Sequence, residues 1–127
     1  MGVGHPADIL HAVACGVDLF DCVLPTRMAR HGSLMTWQGP LKINRLEHAR
    51  SDEPLDPTCP CETCRRYTRG YLRHLFTCKE PTAWQLLSEH NLTFYATFME
   101  KLRAAIEAGT VEELRQKVGA WTVREKG

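Results

Sequence analysis

The sequence of 127 residues lacks the features that mark several special classes of protein. No run approaches about 18 apolar residues, so we expect neither a transmembrane helix nor a membrane partner. The N-terminal stretch MGVGHPADIL has no basic segment and no long apolar run, so we expect no secretory signal and a cytoplasmic location. The formal net charge is only +1, so charge over the whole chain does not indicate a nucleic-acid partner.

Cysteine, in contrast, is plentiful and unevenly placed. Three of the six cysteines fall within six positions, as Cys59-x-Cys61-x-x-Cys64 in the stretch DPTCPCETCRRY. Without a secretory signal, such a cluster is more typical of metal ligands than of disulfides. Thiolates at this spacing favour Zn²⁺, which binds sulfur and nitrogen in tetrahedral geometry. The alternative is a set of unliganded thiols, which would be prone to oxidation.

A closed structural zinc site needs a fourth protein ligand, whereas a catalytic zinc keeps that position open for water. Spacing offers Cys78, His74 and His90 as candidates. Ligand softness ranks Cys78 first. His90 is predicted at the edge of the apolar face of a long helix, pointing inward, and a histidine that only lines a core is the commoner case there. Spacing alone leaves the choice open.

The N-terminal third predicts a strand, a helix and a second strand. MGVG suits the end of a buried strand, PADILHAVACG has helical apolar spacing with Gly16 as its stop, and VDLFDCVLP is a β-branched and aromatic run that ends at a proline. Such a βαβ unit implies an α/β fold with a parallel sheet. A single unit has exposed edges and uncovered faces, so the chain is predicted to be part of something larger.

The rest of the chain predicts a hairpin, a loop and helices. The hairpin is expected around Gly39-Pro40, and RRYTRGYLRHLFTCKE predicts one or two short helices, divided near Gly70. A long helix is predicted from Pro81 to Gly109, and TVEELRQKV predicts a short helix after it. Residues expected in the hairpin arms are Thr36, Trp37, Lys42 and Ile43. Those expected on the apolar face of the long helix are Trp84, Leu87, Leu92, Tyr95, Phe98, Met99, Leu102 and Ile106.

Asp21 is the most conspicuous ionisable residue outside the cysteine cluster. It is predicted at the C-terminal end of a parallel strand, where α/β folds place catalytic groups, and on one face with Leu19 and Val23. It is either a functional carboxylate or the cap of the following turn. Two runs rich in arginine make a phosphate backbone a plausible partner, although each could be a solvated face. Their basic residues are Arg27, Arg30, Lys42, Arg45 and Arg50, then Arg65, Arg66, Arg69 and Arg73.

These segments resemble a known family. The motifs are G-V-G-x-P-x-D at Gly2–Asp8, F-D-C-V-x-P-T-R at Phe20–Arg27, and C-x-C-x-x-C followed by a histidine 26 positions later. They closely resemble the C-terminal part of the bacterial tRNA-guanine transglycosylases (queuine tRNA-ribosyltransferases). The resemblance runs from residue 1 to about residue 118.

The resemblance implies the C-terminal part of a (β/α)8 TIM barrel with an inserted zinc-binding subdomain. MGVG would be barrel strand 7, VDLFDCV strand 8, and the long helix the last barrel helix. The chain would divide into the last two strands with their helix (1–30), a hairpin and zinc-binding subdomain (31–80), C-terminal barrel helices (81–118) and a tail (119–127). The earlier strands and a second essential aspartate of the family are missing, so we expect no activity from this chain alone.

The family exchanges guanine at the wobble position of certain tRNAs for a 7-deazaguanine. The resemblance implies that Asp21 is the nucleophile that attacks C1′ of the ribose and forms a covalent intermediate. Arg27 and Arg30 would hold the RNA near the target nucleotide. The pocket for the base would be bordered by Met1, Gly2, Val3 and Gly4.

The resemblance also moves the fourth metal ligand from Cys78 to His90. One structural Zn²⁺ would then be held by Cys59, Cys61, Cys64 and His90, bracing a subdomain that meets tRNA and the second subunit of a homodimer. The family has dimer contacts at the positions of Tyr67, Tyr71 and His74. These side chains would serve equally well as a small core around the cysteine cluster. The alternative function is a non-catalytic zinc module that binds tRNA or a partner subunit.

Overall fold

The computed structural model describes the backbone of residues 2–126 and the side chains of residues 2–121. Within that part of the chain, helices predominate and the sheet is a single two-stranded hairpin. The elements in chain order are α1 (Pro6–Ala14), α2 (Leu24–Arg30), β1 (Ser33–Thr36), β2 (Gly39–Lys42), a 3₁₀ turn (Leu46–His48), α3 (Glu62–Arg66), α4 (Arg69–Thr77), α5 (Pro81–Ala108) and α6 (Val111–Lys126). None of these helices is long and apolar enough to cross a membrane.

The two strands predicted near the N-terminus do not form. Residues 2–4 and 17–22 have no regular secondary structure, although α1 lies between them as predicted. The two segments still lie side by side, because the Gly2 N–H donates to the Asp21 carbonyl oxygen at 2.8 Å. Parallel strands normally belong to a larger sheet that is covered on both faces. In residues 2–126 no strand lies beside these two segments to extend such a sheet. The observed class is therefore mixed, with helices and one small sheet.

Helix α2 is a second departure from the sequence prediction, which ended a strand at Pro25. Leu24 instead begins a helix, and proline is well suited to the first turn of a helix because its fixed φ is already helical. The Val23 carbonyl accepts the Arg27 N–H at 3.0 Å and the Thr26 hydroxyl at 3.2 Å. Helix α2 thus begins only three positions after Asp21.

The hairpin forms, but its turn is displaced from the predicted Gly39-Pro40. Thr36 pairs with Gly39, so Trp37 and Gln38 form the turn and Gly39 opens the second strand with φ +123°. The Thr36 hydroxyl closes this turn by donating to the Gly39 carbonyl at 2.6 Å. Trp37 therefore leaves the predicted arm and packs against Phe94, with ring centroids 4.9 Å apart.

Helix α5 begins at Pro81 and ends before Gly109, as predicted, and Gly109 has φ +72°. Buried residues of α5 belong to two separate apolar clusters, so this helix connects the two clusters. Near its start, Leu87 packs in the cluster that contains the three clustered cysteines. Farther along, Phe94, Phe98 and Leu102 pack with α1, Met35 and Trp121. Three residues predicted on the buried face are instead 41–51% exposed, because no described element covers that side: Trp84, Leu92 and Ile106.

Helix α6 continues past the predicted end at Val118 and runs through Lys126. Val118 and Trp121 are buried, and Trp121 packs edge-on to Trp37 with ring centroids 5.7 Å apart. Residues 119–126, which the sequence set apart as a tail, are therefore helical, and Gly127 lies outside the described residues. Burial of Trp121 against the hairpin gives this extension its tertiary support.

Candidate functional site

The three clustered cysteines form a compact knuckle ahead of α3. Cys61 is the N-cap of α3, and its sulfur accepts the Cys64 N–H at 3.3 Å. The Cys59 N–H donates to the Asp56 carbonyl at 3.1 Å. All three side chains are buried. One helical turn from Cys61 to Cys64, with Cys59 two positions earlier, is enough to turn three sulfurs toward one point.

His90 completes this group from the middle of α5. Its Nδ1 lies 3.2 Å from Cys64 Sγ and 3.6 Å from Cys61 Sγ, and the residue is completely buried. The ligand atoms of Cys59, Cys61, Cys64 and His90 all lie within 4.8 Å of one another. A tetrahedral Zn²⁺ with bonds of about 2.0–2.3 Å would separate its ligand atoms by about 3.4–3.8 Å. These residues can therefore hold a metal ion, and the grouping is the one that the family resemblance implies.

The orientation of His90 is fixed by its other ring nitrogen. Nε2 lies 2.8 Å from the Met35 carbonyl oxygen, which can only accept, so Nε2 carries the proton. Once the ring is neutral, as metal binding requires, Nδ1 presents its lone pair to the cysteines. A buried carbonyl thus selects the tautomer.

The three thiols and the imidazole of this cluster shift one another's pKa values. Hydrogen bonds from the Cys59 and Cys64 thiols hold the pKa of Cys61 far below its usual range. The thiols of Cys59 and Cys61, together with burial, raise the pKa of Cys64. Burial opposes the charged form of His90, but hydrogen bonds with Cys59 and Cys61 outweigh it and raise its pKa to about 10. When a divalent cation binds such a group of thiols and imidazole, the protons that they share are released and the ligand atoms bind the metal instead.

The structure does not bring Cys78, the first choice by softness, to the knuckle. Cys78 is exposed at the end of α4, with its sulfur 3.8 Å from Nδ1 of His74. Leu72 of α4 packs in the cluster that contains the three cysteines, but Cys78 at the end of that helix faces solvent, whereas His90 on α5 lies among them. Ligand softness failed here because spacing does not specify the direction of the intervening helix.

Asp56 supports the knuckle and was not singled out in the sequence. Its buried carboxylate accepts the Trp37 N–H at 2.7 Å, the Thr58 N–H at 2.9 Å and the Thr58 hydroxyl at 2.6 Å. One carboxylate therefore joins the hairpin turn to the residues just before Cys59. An aspartate that bonds the backbone two residues later is a recognised turn signal, so DPT could have indicated it.

Asp21 lies on an exposed ridge. Exposure alternates from Leu19 to Val23, with Leu19 90% and Val23 66% exposed, Asp21 exposed between them, and Phe20 and Cys22 turned partly inward. The predicted common face of Leu19, Asp21 and Val23 is therefore observed even though the strand is not. The Asp21 carboxylate is thus flanked by two exposed apolar side chains on a face that no described element covers.

The glycine segment lies beside Asp21. Besides the bond from Gly2 to Asp21, Gly4 is buried so closely that an added Cβ would overlap Cys22 Sγ and come within 3.0 Å of Leu24 Cβ. Glycine is needed at position 4 for this close approach. Val3 is half-buried, and Met1 lies outside the described residues. Of the residues expected to border a base pocket, Gly2 thus contacts the backbone of the candidate nucleophile, and Gly4 lies against Cys22 and Leu24 just after it.

The two basic runs have different structural roles. Arg27 and Arg30 are exposed on α2, one turn apart, and neither has an acidic partner among the side chains of residues 2–121. In the second run Arg65 and Arg66 both pair with Glu62, at 3.1 and 2.9 Å.

The remaining two arginines of that second run bind backbone carbonyls. Arg69 donates to the carbonyls of Pro54 and Leu55, and Arg73 donates to that of Arg45. These contacts fasten α4 to the loop before the knuckle. Much of the charge at residues 65–73 therefore has a structural explanation within the chain.

The aromatic residues near the knuckle are partly exposed. Tyr67 and Tyr71 stack with ring centroids 5.5 Å apart and an interplanar angle of 14°. Tyr67 packs on the core around the cysteines, whereas Tyr71 remains 47% exposed. Tyr67 thus covers the knuckle, and Tyr71 extends the same surface toward solvent.

Comparison with known proteins gives a consistent match along the chain. The family model described as queuine tRNA-ribosyltransferase matches residues 1–121. Proteins of that name from Solidesulfovibrio magneticus and Nitratidesulfovibrio vulgaris are 51% and 53% identical over 120 residues, 94% of this chain and 32% of theirs. The relative from Aquifex aeolicus is 51% identical over 117 residues, 92% of this chain and 31% of its own. The chain thus spans about a third of the length of these relatives.

Proposed function

Because the chain belongs to the queuine tRNA-ribosyltransferase family, we propose that it is the part of a tRNA-guanine transglycosylase that carries the nucleophile and a structural zinc site. The observation that carries this proposal is the hydrogen bond from Gly2 to Asp21, which brings both family motifs to one place. The full activity would replace guanine at the wobble position of a tRNA by a 7-deazaguanine, with this chain as one component.

Asp21 is the proposed nucleophile. Its carboxylate oxygen forms a bond to C1′ of the ribose while the bond from C1′ to N9 of guanine breaks, and guanine leaves with that electron pair and takes up a proton. The incoming base then forms the new bond to C1′ as its own proton leaves, and the carboxylate departs. Two displacements retain the configuration at C1′, and a carboxylate suits both steps because it is a competent nucleophile and a good leaving group.

The neighbouring residues are proposed to bind the two substrates. Gly2, Val3 and Gly4 would border the flat base, since a segment without large side chains lets the backbone come close to a heterocycle. Met1 is assigned to the same border by the family motif alone. Arg27 and Arg30 would contact phosphates of the anticodon loop, and their exposure without acidic partners supports that role.

The proposed metal is one Zn²⁺, held by Cys59, Cys61, Cys64 and His90. With four protein donors the coordination is closed, so the ion would stabilise the fold and take no part in the base exchange. The chemistry of the donor set, three sulfurs and one imidazole nitrogen, favours zinc over the hard cations.

Three further parts of the proposal concern the complete enzyme. The exposed ridge and the bond from Gly2 to Asp21 are compatible with two neighbouring strands of a TIM barrel, whose other strands would come from the remaining two-thirds of the family length. Homodimerisation would use the surface that includes Tyr71. A substrate tRNA implies a cytoplasmic location.

A second candidate is a non-catalytic zinc module that binds tRNA or a partner subunit. It is favoured by one observation, that all four metal donors come from this chain whereas the surroundings of Asp21 are largely exposed. In that case Cys59→Ser would abolish binding and Asp21→Asn would leave it intact.

A chimera tests the first proposal directly. This chain replaces the matching C-terminal third of the Aquifex aeolicus relative, and incorporation of radiolabelled guanine into tRNA is measured. We expect exchange and a covalent RNA adduct with the chimera, and neither with its Asp21→Asn variant. Asp18→Asn is the matched control, because Asp18 is also exposed and lies three positions away. Undiminished exchange by the Asp21→Asn chimera would refute the assigned role.

A further inference from the structure

We propose that Asn91 is a positioning residue that links the metal centre to the segment containing Asp21 and Arg27. The inference depends on the proposed function only for the chemical role of Asp21. The structural link itself consists of hydrogen bonds among described residues, and it is tested without measuring base exchange.

Asn91 is completely buried, and its side chain binds backbone groups of two separate elements. The amide oxygen accepts the Met35 N–H at 3.1 Å, in β1. The amide nitrogen donates to the Pro25 carbonyl at 3.0 Å, in α2, and to the Ser33 carbonyl at 3.1 Å. The orientation of the amide follows from its partners, since an N–H requires the oxygen and two carbonyls require the nitrogen. Both amide protons are thus in use.

Asn91 shares its partner in β1 with the adjacent candidate metal ligand. His90 donates from Nε2 to the Met35 carbonyl at 2.8 Å, while Asn91 accepts from the Met35 N–H. Both polar backbone groups of one strand residue are therefore held by consecutive side chains of α5. A shift of His90 would move Met35 and, with it, the acceptor position of Asn91.

The hydrogen bonds run without interruption from the metal centre to α2. They lead from the Cys64 sulfur to His90, Met35, Asn91 and finally the Pro25 carbonyl. Pro25 lies four positions after Asp21, and α2 carries Arg27 and Arg30 on its exposed side. Metal binding would thus order the start of α2 as well as the knuckle. A buried network of this kind is satisfied as a unit, so loss of one member weakens its neighbours.

Hydrogen–deuterium exchange of the 127-residue chain, with Zn²⁺ bound and after chelation, tests the link. In the unmodified chain we expect chelation to speed exchange of the α2 amides about tenfold. Asn91→Asp retains an acceptor for the Met35 N–H but replaces the amide group that donates to both the Pro25 and the Ser33 carbonyls with at most one O–H donor. We expect the α2 amides of this variant to exchange rapidly with or without Zn²⁺, while the Met35 amide stays protected and Zn²⁺ affinity stays within about threefold.

Gln85→Glu is the control, because it makes the same amide-to-carboxylate change at an exposed site of α5. If Asn91→Asp does not fold, Asn91→Ala replaces it, and both α2 and Met35 should then lose protection. Unchanged α2 exchange on chelation of the unmodified chain would overturn the proposal by itself. Equal acceleration of all core amides in the variants would also overturn it, since that result indicates a general packing role. Neither result depends on whether Asp21 is a nucleophile.

Discussion

The hydrogen bond from His90 Nε2 to the Met35 carbonyl, 2.8 Å long, determines which ring nitrogen of His90 faces the cysteines. Met35 belongs to the hairpin, so the hairpin helps to hold a candidate metal ligand in place. Outer partners of this kind orient a metal-binding imidazole and commonly affect metal affinity. The hairpin, the knuckle and α5 therefore form one structural unit.

Replacement of His90 tests this arrangement. We expect His90→Ala to weaken metal binding by at least about 100-fold, since it removes one of four donors as well as the bond to Met35. X-ray absorption of the Zn²⁺-loaded unmodified chain should give three sulfur ligands and one nitrogen ligand. Cys78→Ser should leave both the affinity and the spectrum unchanged. Four sulfur ligands would restore Cys78 as the fourth ligand.

Asp56→Asn tests the hydrogen bonds that join the residues just before Cys59 to the hairpin turn. The buried carboxylate accepts three hydrogen bonds, and a neutral amide would present a donor to groups that need an acceptor. We expect the free energy of unfolding to fall by about 1–3 kcal/mol, measured by urea denaturation with Zn²⁺ bound. Asp52→Asn, at an exposed site of the same loop, should have no measurable effect. Equal stability of the two variants would contradict the role of Asp56.

Gly4→Ala tests the close approach of the N-terminal segment to Cys22. The new methyl group would overlap the Cys22 sulfur, so we expect a loss of about 1–3 kcal/mol in the free energy of unfolding. In a Cys22→Ala background the same change should cost less, because the obstructing sulfur is gone. Rescue should be partial, since Leu24 Cβ remains 3.0 Å from the added atom. An unaltered cost in the double-mutant cycle would show that the two residues do not meet.

Asp21→Asn should leave the stability of the fold almost unchanged. The side chain is exposed, and its recorded contact with Gly2 is made by the backbone carbonyl, which the substitution retains. We expect the free energy of unfolding to change by less than about 0.5 kcal/mol in thermal or urea denaturation. A larger loss would indicate that Asp21 has a structural role and would weaken its assignment as nucleophile.

Several features of the fold were predictable because they depend on local sequence. Pro81 and Gly109 mark the ends of α5 through fixed φ and positive φ, which need no tertiary partner. The alternation from Leu19 to Val23 likewise correctly predicted a shared face. Trp84, Leu92 and Ile106 were misassigned because periodicity identifies a face but not how much of it neighbouring elements cover.

The candidate site was predictable only in part for the same reason. Three donors lie within six residues, so their spacing alone indicated a metal site. The choice between Cys78 and His90 depends on the path of α4 and α5, which spacing does not contain. Asn91 gave no signal at all, because a polar residue beside an apolar face resembles any solvated one until its partners in β1 and α2 are known.

The separation of the fourth donor from the other three has a kinetic consequence. His90 lies 26 positions after Cys64, and its approach requires α5 to return across the knuckle. The three thiols can gather by closing very short loops, whereas the imidazole arrives only after a much longer closure with a larger entropic cost. We therefore expect metal capture during refolding to occur in two phases, a rapid all-sulfur encounter and a slower addition of nitrogen as α5 docks.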